Sequence, residues 1–325
     1  MVIAAEHAVA AAPARAHHAY DAWLALAHAR APVRMAVVHP CDAEALEAAL
    51  AARQQRLIEP ILVGPPARIA AAAKQSGVDL DGIEIVPSAH SHASAETAVA
   101  LVRAGRAAAL IKGSLHSDEL LHAVLDKQTG LRTERRLSHV FVLEVPTYPR
   151  PLLITDAAVN IYPTLADKRD IAQNAIDLAH AIGIAAPRVA ILSATETVNP
   201  QIHSTIDAAA LCKMAERGQI HGARLDGPLA FDNAISPEAA RIKGIHSGVA
   251  GVADILLVPD LEAGNMLVKQ LTFLANADAA GIVLGARVPI AFASRADSLR
   301  NRLASVALCA VLAHARLAAE AALHP

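Results

Sequence analysis

Eleven short runs of branched aliphatic residues recur along the chain and alternate with longer segments rich in alanine and leucine. The intervening segments, such as ASAETAVALVRAG, have the apolar spacing of amphipathic helices. Strands that alternate with helices of this length indicate parallel α/β construction. Several runs are apolar throughout, which is typical of strands covered by helices on both faces. The predicted strands are 34–39, 60–64, 82–87, 107–111, 139–145, 151–155, 188–193, 221–227, 254–259, 281–285 and 288–293.

Composition narrows the class of protein further. Only 2% of residues are aromatic while 54% are hydrophobic, so aliphatic side chains must form the core. A formal charge of −2 argues against a globally basic nucleic-acid binder. The three cysteines form no CxxC pair, which argues against a disulfide framework or a structural zinc site. No uninterrupted apolar run reaches the roughly 18 residues of a membrane span, so we expect a cytoplasmic protein with no membrane partner.

Polar loops follow many of the predicted strands, as at 112–114, 155–160, 193–200, 259–265 and 294–298. Ligands of open α/β sheets bind beside such strand ends, so these loops predict a shared cleft. The GxGxxG, GxxxxGK[ST], HExxH and GxSxG motifs are absent. The histidines of HSH (90–92) and the pair His116 and His122 are interpreted as surface or capping residues, and no metal site is expected.

The SRADS segment (294–298) poses the sharpest chemical question. The spacing of the apolar residues after it predicts a helix that begins near Ser294 or Asp297, both of which are good capping residues. Arg295 would then stand at the positive end of that helix, where a cation is unfavourable unless an anion lies against it. A bound oxyanion and a structural ion pair are both open explanations.

Five further residues are candidate binding groups, each with a plainer alternative. Lys112 ends an apolar strand, and Asn265 lies with Gly264 where a strand passes into a helix, a place for a ligand or a tight turn. Arg136 and Ser138 precede a strand, in a run that provides either a second anion contact or an ordinary basic surface. Asp232 follows a DGP turn and either binds substrate or stabilises the turn.

The segments TDAAVNIYPT, ILSATETVN, DGPLAFDNAIS, KGIHSGVAGVADILLVPDLEAGNML and GARVPIAFASRADS together resemble the phosphate acetyl/butyryltransferases. The likeness covers roughly residues 34–320. It implies two α/β/α domains around a cleft, similar to the isocitrate and isopropylmalate dehydrogenases. It places residues 1–148 and 288–325 in the first domain, with 1–33 as an extra segment, and 149–287 in a second domain with a dimer contact.

The resemblance also implies an activity: direct transfer of an acetyl or butyryl group between coenzyme A and inorganic phosphate, with no covalent enzyme intermediate. Acyl-CoA, phosphate and acyl phosphate would be the small-molecule partners, coenzyme A would be a substrate, and no permanently bound cofactor is expected. A catalytically impaired protein that binds CoA or acyl phosphate, and a metal-dependent dehydrogenase on the same fold, are the alternatives.

Individual roles follow from the same resemblance. Ser294 and Arg295 match the pair that holds the phosphoryl group, and Arg136 is similar to a second phosphate-binding arginine. Acetyl-specific relatives carry a thiol-deprotonating aspartate seven residues after the serine, where this chain has Asn301, which cannot act as a base. Asp297 either takes that role, as the SR-x-D-S pattern of butyryl-type relatives indicates, or serves as a helix cap. This exchange leaves the acyl chain length open.

Overall fold

The computed structural model describes residues 18–294 and 297–323. These residues contain eleven strands, and each overlaps one of the predicted runs. The strands are β1 Val33–Val38, β2 Ile58–Gly64, β3 Glu84–Pro87, β4 Ala109–Lys112, β5 Ser138–Glu144, β6 Leu152–Thr155, β7 Arg188–Leu192, β8 Arg224–Leu229, β9 Ile255–Leu257, β10 Asp278–Leu284 and β11 Ile290–Ala291.

Helices connect most of these strands, so the predicted α/β class is confirmed. The predicted capping histidines are also found, since His90 precedes α4 and His116 precedes α5 as their N-caps. The helices of the described residues are α1 His18–His28, α2 Ala43–Gln54, α3 Pro66–Ser76, α4 Ser91–Arg103, α5 Ser117–Leu125, α6 Leu165–Ala181, α7 His203–Glu216, α8 Phe231–Ile235, α9 Pro237–Ile242, α10 Leu261–Phe273 and α11 Leu299–Leu323.

The strands form one sheet with the order β3-β2-β1-β4-β11-β10-β5-β6-β9-β7-β8. Its two outer parts are parallel, as predicted, but β10 is antiparallel to both β11 and β5, and β5 is antiparallel to β6. The expectation of purely parallel construction is therefore wrong at the centre of the sheet. The physical reason is connection length, since residues 145–151 and 285–289 are too few for the helical crossover that parallel neighbours require.

The sheet runs without a break through the segments where the domain boundaries were predicted. The TYPRP segment (147–151), which contains the predicted boundary between residues 148 and 149, joins the antiparallel pair β5 and β6. The division into residues 1–148 with 288–325 and residues 149–287 stays a prediction.

Helix α11 packs along the sheet and its first turns lie next to the central strands. Leu303, Val306 and Leu308 are buried within the main core cluster. Helix α1, which lies in the N-terminal segment before the resemblance begins, packs on α11 through the buried Tyr20 and Trp23.

By length and mean hydropathy, residues Leu299–Ala319 of α11 would also suffice to cross a membrane. Arg300, Arg302 and Arg316 interrupt this segment, so it agrees with the absence of an uninterrupted apolar run of membrane-spanning length. Within the fold, 61% of the 18-residue window is buried, as in the core helix of a folded protein.

Candidate active site

A cavity of about 500 Å³ lies beside the central strands. Lys112 ends β4, and segments that follow β6, β9 and β11 contribute Ala158, Asn265 and Ser294 to its lining. Four of the five polar loops predicted to gather at strand ends therefore meet here. The fifth, 193–200, contributes no residue to this cavity.

Ser294, Asp297 and Ser298 of the SRADS segment line the cavity. The backbone N–H of Ser294 donates to the Asp297 carboxylate at 2.7 Å, and the N–H of Asp297 donates to the Ser294 carbonyl at 3.2 Å. The Ser298 hydroxyl accepts from the Asn301 N–H at 3.2 Å, so Ser298 caps α11. The helix thus begins at Leu299, later than predicted, after a separate turn. Arg295, the residue that raised the question, lies outside the described residues.

Asp297 is a half-buried residue of the cavity lining. Burial raises the pKa of its carboxyl, while the Ser294 N–H and the charges of Arg302 and Lys269 oppose the rise. A raised pKa makes the carboxylate a stronger proton acceptor than an ordinary aspartate. The side chain therefore both caps the turn and faces the cavity.

Lys112 is almost fully buried at the end of β4. Its Nζ lies 3.4 Å from the Gly113 carbonyl oxygen and 5.8 Å from the centre of the Phe292 ring. An ammonium group held in an enclosed wall is suited to an anionic ligand.

Asn265 lies in the second turn of α10 rather than at a strand-to-helix junction as predicted. Its amide Nδ2 donates to the Ala157 carbonyl at 3.1 Å. A Cβ at Gly264 would stand 2.9 Å from the Ala157 Cβ, so glycine allows α10 to pack closely on this loop. Gly264 therefore allows α10 to pack against the loop after β6, and Asn265 lines the cavity.

Arg136 and Ser138 are not among the residues that line the cavity. The Arg136 side chain is exposed, and its Nε donates to Asn160 at 2.6 Å and lies 3.5 Å from an Asp167 oxygen. Asn160 belongs to the loop that contributes Ala158 to the cavity, so Arg136 contacts the outer side of the site. Ser138 is fully buried and accepts from Asn174 at 2.9 Å, which is a structural contact.

Asp232 belongs to a separate ion network. Lys243 lies 2.9 Å from its carboxylate and also contacts Glu196. The hydrogen bond from Lys243 lowers the pKa of Asp232. The side chain stabilises the segment around α8 and does not line the cavity.

One wall of the cavity is aromatic and was not predicted from the sequence. His139 and Phe141 on β5 and Phe292 after β11 line it, and three of the four phenylalanines of the chain are lining residues. The signal was present in the strand HVFVLEV, because alternate residues of a strand share a face. Asn301 also lines the cavity, and its side-chain oxygen has no hydrogen-bond partner among the described residues.

Comparison with known proteins agrees with the resemblance found in the sequence. The family described as "Phosphate acetyl/butaryl transferase" matches residues 91–310. A phosphate acetyltransferase of Rhizobium meliloti is 62% identical, over 93% of this chain and 96% of that protein. A phosphate butyryltransferase of Clostridium acetobutylicum is 43% identical, over 86% of this chain and 93% of that protein.

Solved structures agree as well. A branched-chain phosphotransacylase from Enterococcus faecalis superposes with a TM-score of 0.76 at 30% identity, covering 87% of this chain and 99% of that one. A putative 4-hydroxythreonine-4-phosphate dehydrogenase from Salmonella typhimurium shares the fold alone, with a TM-score of 0.55 at 13% identity and coverage of 86% and 99%. The expected dehydrogenase-like fold is thereby confirmed. The chain belongs to the phosphate acetyl/butyryltransferase family.

Proposed function

We propose that this protein transfers a short acyl group between coenzyme A and inorganic phosphate. The observation that carries the proposal is the convergence of Lys112, Asn265 and Ser294 from distant chain segments on one cavity with an apolar wall. Such a cavity has separate places for a charged phosphate and an uncharged acyl group. Family membership supports the same reaction.

The charged end suits the phosphate. Ser294 stands in the turn before α11, and Lys112 and Lys269 line the same cavity. We assign the phosphate to this end, with Arg295 beside Ser294 as a bidentate partner, because an arginine fork matches phosphate oxygens. Arg136, beyond the 156–160 loop, adds positive potential and would reach the phosphate only after releasing Asn160.

The reaction needs no covalent enzyme intermediate. A phosphate oxygen attacks the thioester carbonyl carbon, the C–O bond forms, and the C–S bond breaks. The phosphate proton passes to the departing thiolate, so acyl-CoA and hydrogen phosphate give acyl phosphate and CoA thiol. Holding both substrates in one cavity supplies much of the rate through proximity.

In the opposite direction, Asp297 accepts the thiol proton. The raised pKa of its carboxyl and its position in the cavity lining support this role. Asn301, at the position of the aspartate in acetyl-specific relatives, contributes an amide to the same wall and no base. With Asp297 as the base, the presence of Asn301 no longer argues for a catalytically impaired binding protein.

Acetyl-CoA is the first substrate to test, since the relative that is 62% identical is a phosphate acetyltransferase and the butyryltransferase is 43% identical. We further propose a cytoplasmic homodimer with no permanent cofactor. Of the twelve exposed large apolar side chains in the described residues, eight fall between Ile161 and Leu274, in the predicted second domain. Light scattering of the purified protein tests the dimer.

The test of the activity is release of free CoA thiol from acetyl-, propionyl- and butyryl-CoA with and without inorganic phosphate. We expect phosphate-dependent release that is lost in Arg295→Ala. The matched control is Arg217→Ala, which removes an exposed arginine at the end of α7 and should leave the rate unchanged. No phosphate-dependent release from any of the three thioesters would refute the proposed function.

A further inference from the structure

One wall of the cavity is built from one face of the central strands. Gly281 on β10 pairs with Phe141 on β5, and its carbonyl accepts the N–H of Phe292 at 2.9 Å. These three residues form a row across the sheet, and Ala279 lies two residues along the same face of β10. This face of β10 carries Ala279, Gly281 and the buried Val283, and the two small residues leave open space beside the aromatic rings.

His139 completes this wall and is fully buried in it. Its ring centre lies 4.2 Å from that of Phe141 and 5.7 Å from that of Phe292. The Phe292 backbone lies close enough to raise the pKa of the ring, but neither ring nitrogen has a hydrogen bond of ordinary geometry among the residues that the structure describes. A buried polar group without a partner is unusual, and in a cavity wall it indicates a ligand atom.

The ring is uncharged at neutral pH. Burial lowers the pKa of His139 to about 4, although the Asp156 carboxylate and the Phe292 backbone act in the opposite direction. A neutral imidazole offers one N–H donor and one acceptor. It therefore suits an uncharged carbonyl group better than a phosphate, which Lys112 and Lys269 attract.

We infer that this wall is the acyl subsite: the acyl chain packs between Phe141 and Phe292 over Ala279, and His139 donates a hydrogen bond to the acyl carbonyl oxygen. This inference rests on the proposed function. When the phosphate oxygen bonds to the carbonyl carbon, the C=O electron pair moves onto the oxygen, and the His139 hydrogen bond strengthens. The C=O bond then reforms as the C–S pair leaves with sulfur, and His139 keeps its proton throughout.

The chain-length part is tested with Ala279→Val, which adds two methyl groups to the floor of the cavity. A pocket discriminates by about 10–200-fold per methylene group. We therefore expect the ratio of kcat/KM for butyryl-CoA to that for acetyl-CoA to fall at least tenfold. Ala100→Val, at an exposed position of α4, is the control and should leave the ratio unchanged. An unchanged ratio in Ala279→Val would overturn the assignment of the wall.

The hydrogen bond is tested with His139→Leu and His139→Gln. Removal of one donor to a developing oxyanion costs about 10²–10³-fold in kcat, so we expect that loss in the leucine variant with KM within a few fold. Glutamine retains an N–H and should recover at least tenfold of it. Equal kcat in both variants would overturn the donor role. A wild-type protein that releases no thiol with phosphate fails the proposed function itself, whereas an active wild type with unaffected variants fails only this inference.

Discussion

Gly281 lies between residues of the cavity wall, where a single added carbon would meet close neighbours. A Cβ there would stand 2.5 Å from the Phe292 carbonyl oxygen and 2.8 Å from the His139 Nε2. The two backbones are held together here, because the Phe292 N–H donates to the Gly281 carbonyl at 2.9 Å. Gly281→Ala therefore forces β11 and the His139 ring to move.

The cost follows from this geometry. Gly281 is not in the left-handed backbone region, so alanine adds no backbone strain and the whole effect is steric. Overpacking of this kind costs about 1–3 kcal/mol. For a chain of 325 residues, we expect a fall in Tm of roughly 1.5–4.5 °C.

The assay is thermal and urea unfolding followed by the fluorescence of Trp23, the single tryptophan, which is buried. Gly77→Ala is the control, because its Cβ would meet nothing within 4 Å and its φ of +67° makes the cost a backbone effect only. We expect the Gly281 variant alone to change kcat as well as stability. A Gly281→Ala protein with wild-type Tm and kcat would refute the steric reasoning.

Three further predictions concern the surroundings of the cavity. Ser305 is buried, and its hydroxyl accepts a hydrogen bond from the Gly281 N–H at 3.0 Å. Ser305→Ala should therefore lower the free energy of unfolding in urea by about 1–3 kcal/mol. A decrease below about 0.5 kcal/mol, the usual range for surface substitutions, would contradict this. Asp297→Asn should slow acyl-CoA synthesis from acyl phosphate at least about 100-fold and remove the acidic limb of its pH–rate profile, and an intact limb would exclude Asp297 as the base. His139 has a folded pKa of about 4, below its unfolded value, so its contribution is complete above about pH 6.5 and should fall by about 3 kcal/mol towards pH 4. Urea unfolding of His139→Gln should lack this part of the loss, and identical pH dependence in both proteins would contradict the assignment.

The positions of the strands could be predicted because a fully covered strand must be apolar along its length. Several of the eleven runs carried that signal, and all eleven overlap a strand. Strand direction was harder to predict, because it depends on how far a connection can reach. The short links before β6 and β11 contain that information, and weighing them against a helical crossover would have given the antiparallel centre.

The candidate site was predicted in part for a similar reason. Lys112 ends β4 and Ser294 lies shortly after β11, so the local sequence was enough to predict that both would lie at the cavity. Asp232 and Ser138 also lie beside predicted strands, but neither side chain lines the cavity. Their partners, Lys243 and Asn174, come from other segments of the chain, which the local sequence does not reveal. His139 was overlooked because a histidine inside an apolar strand gives no sign of whether its face meets a helix or a cavity.

The most direct test of the account is a crystal structure of the protein with inorganic phosphate and S-acetonyl-CoA, a thioether ketone that cannot transfer its acyl group. The account predicts the phosphate against Ser294 and Arg295, and the ketone oxygen about 2.7–3.2 Å from a ring nitrogen of His139. A ketone bound outside the cavity, or a phosphate against His139 instead of Ser294, would contradict it.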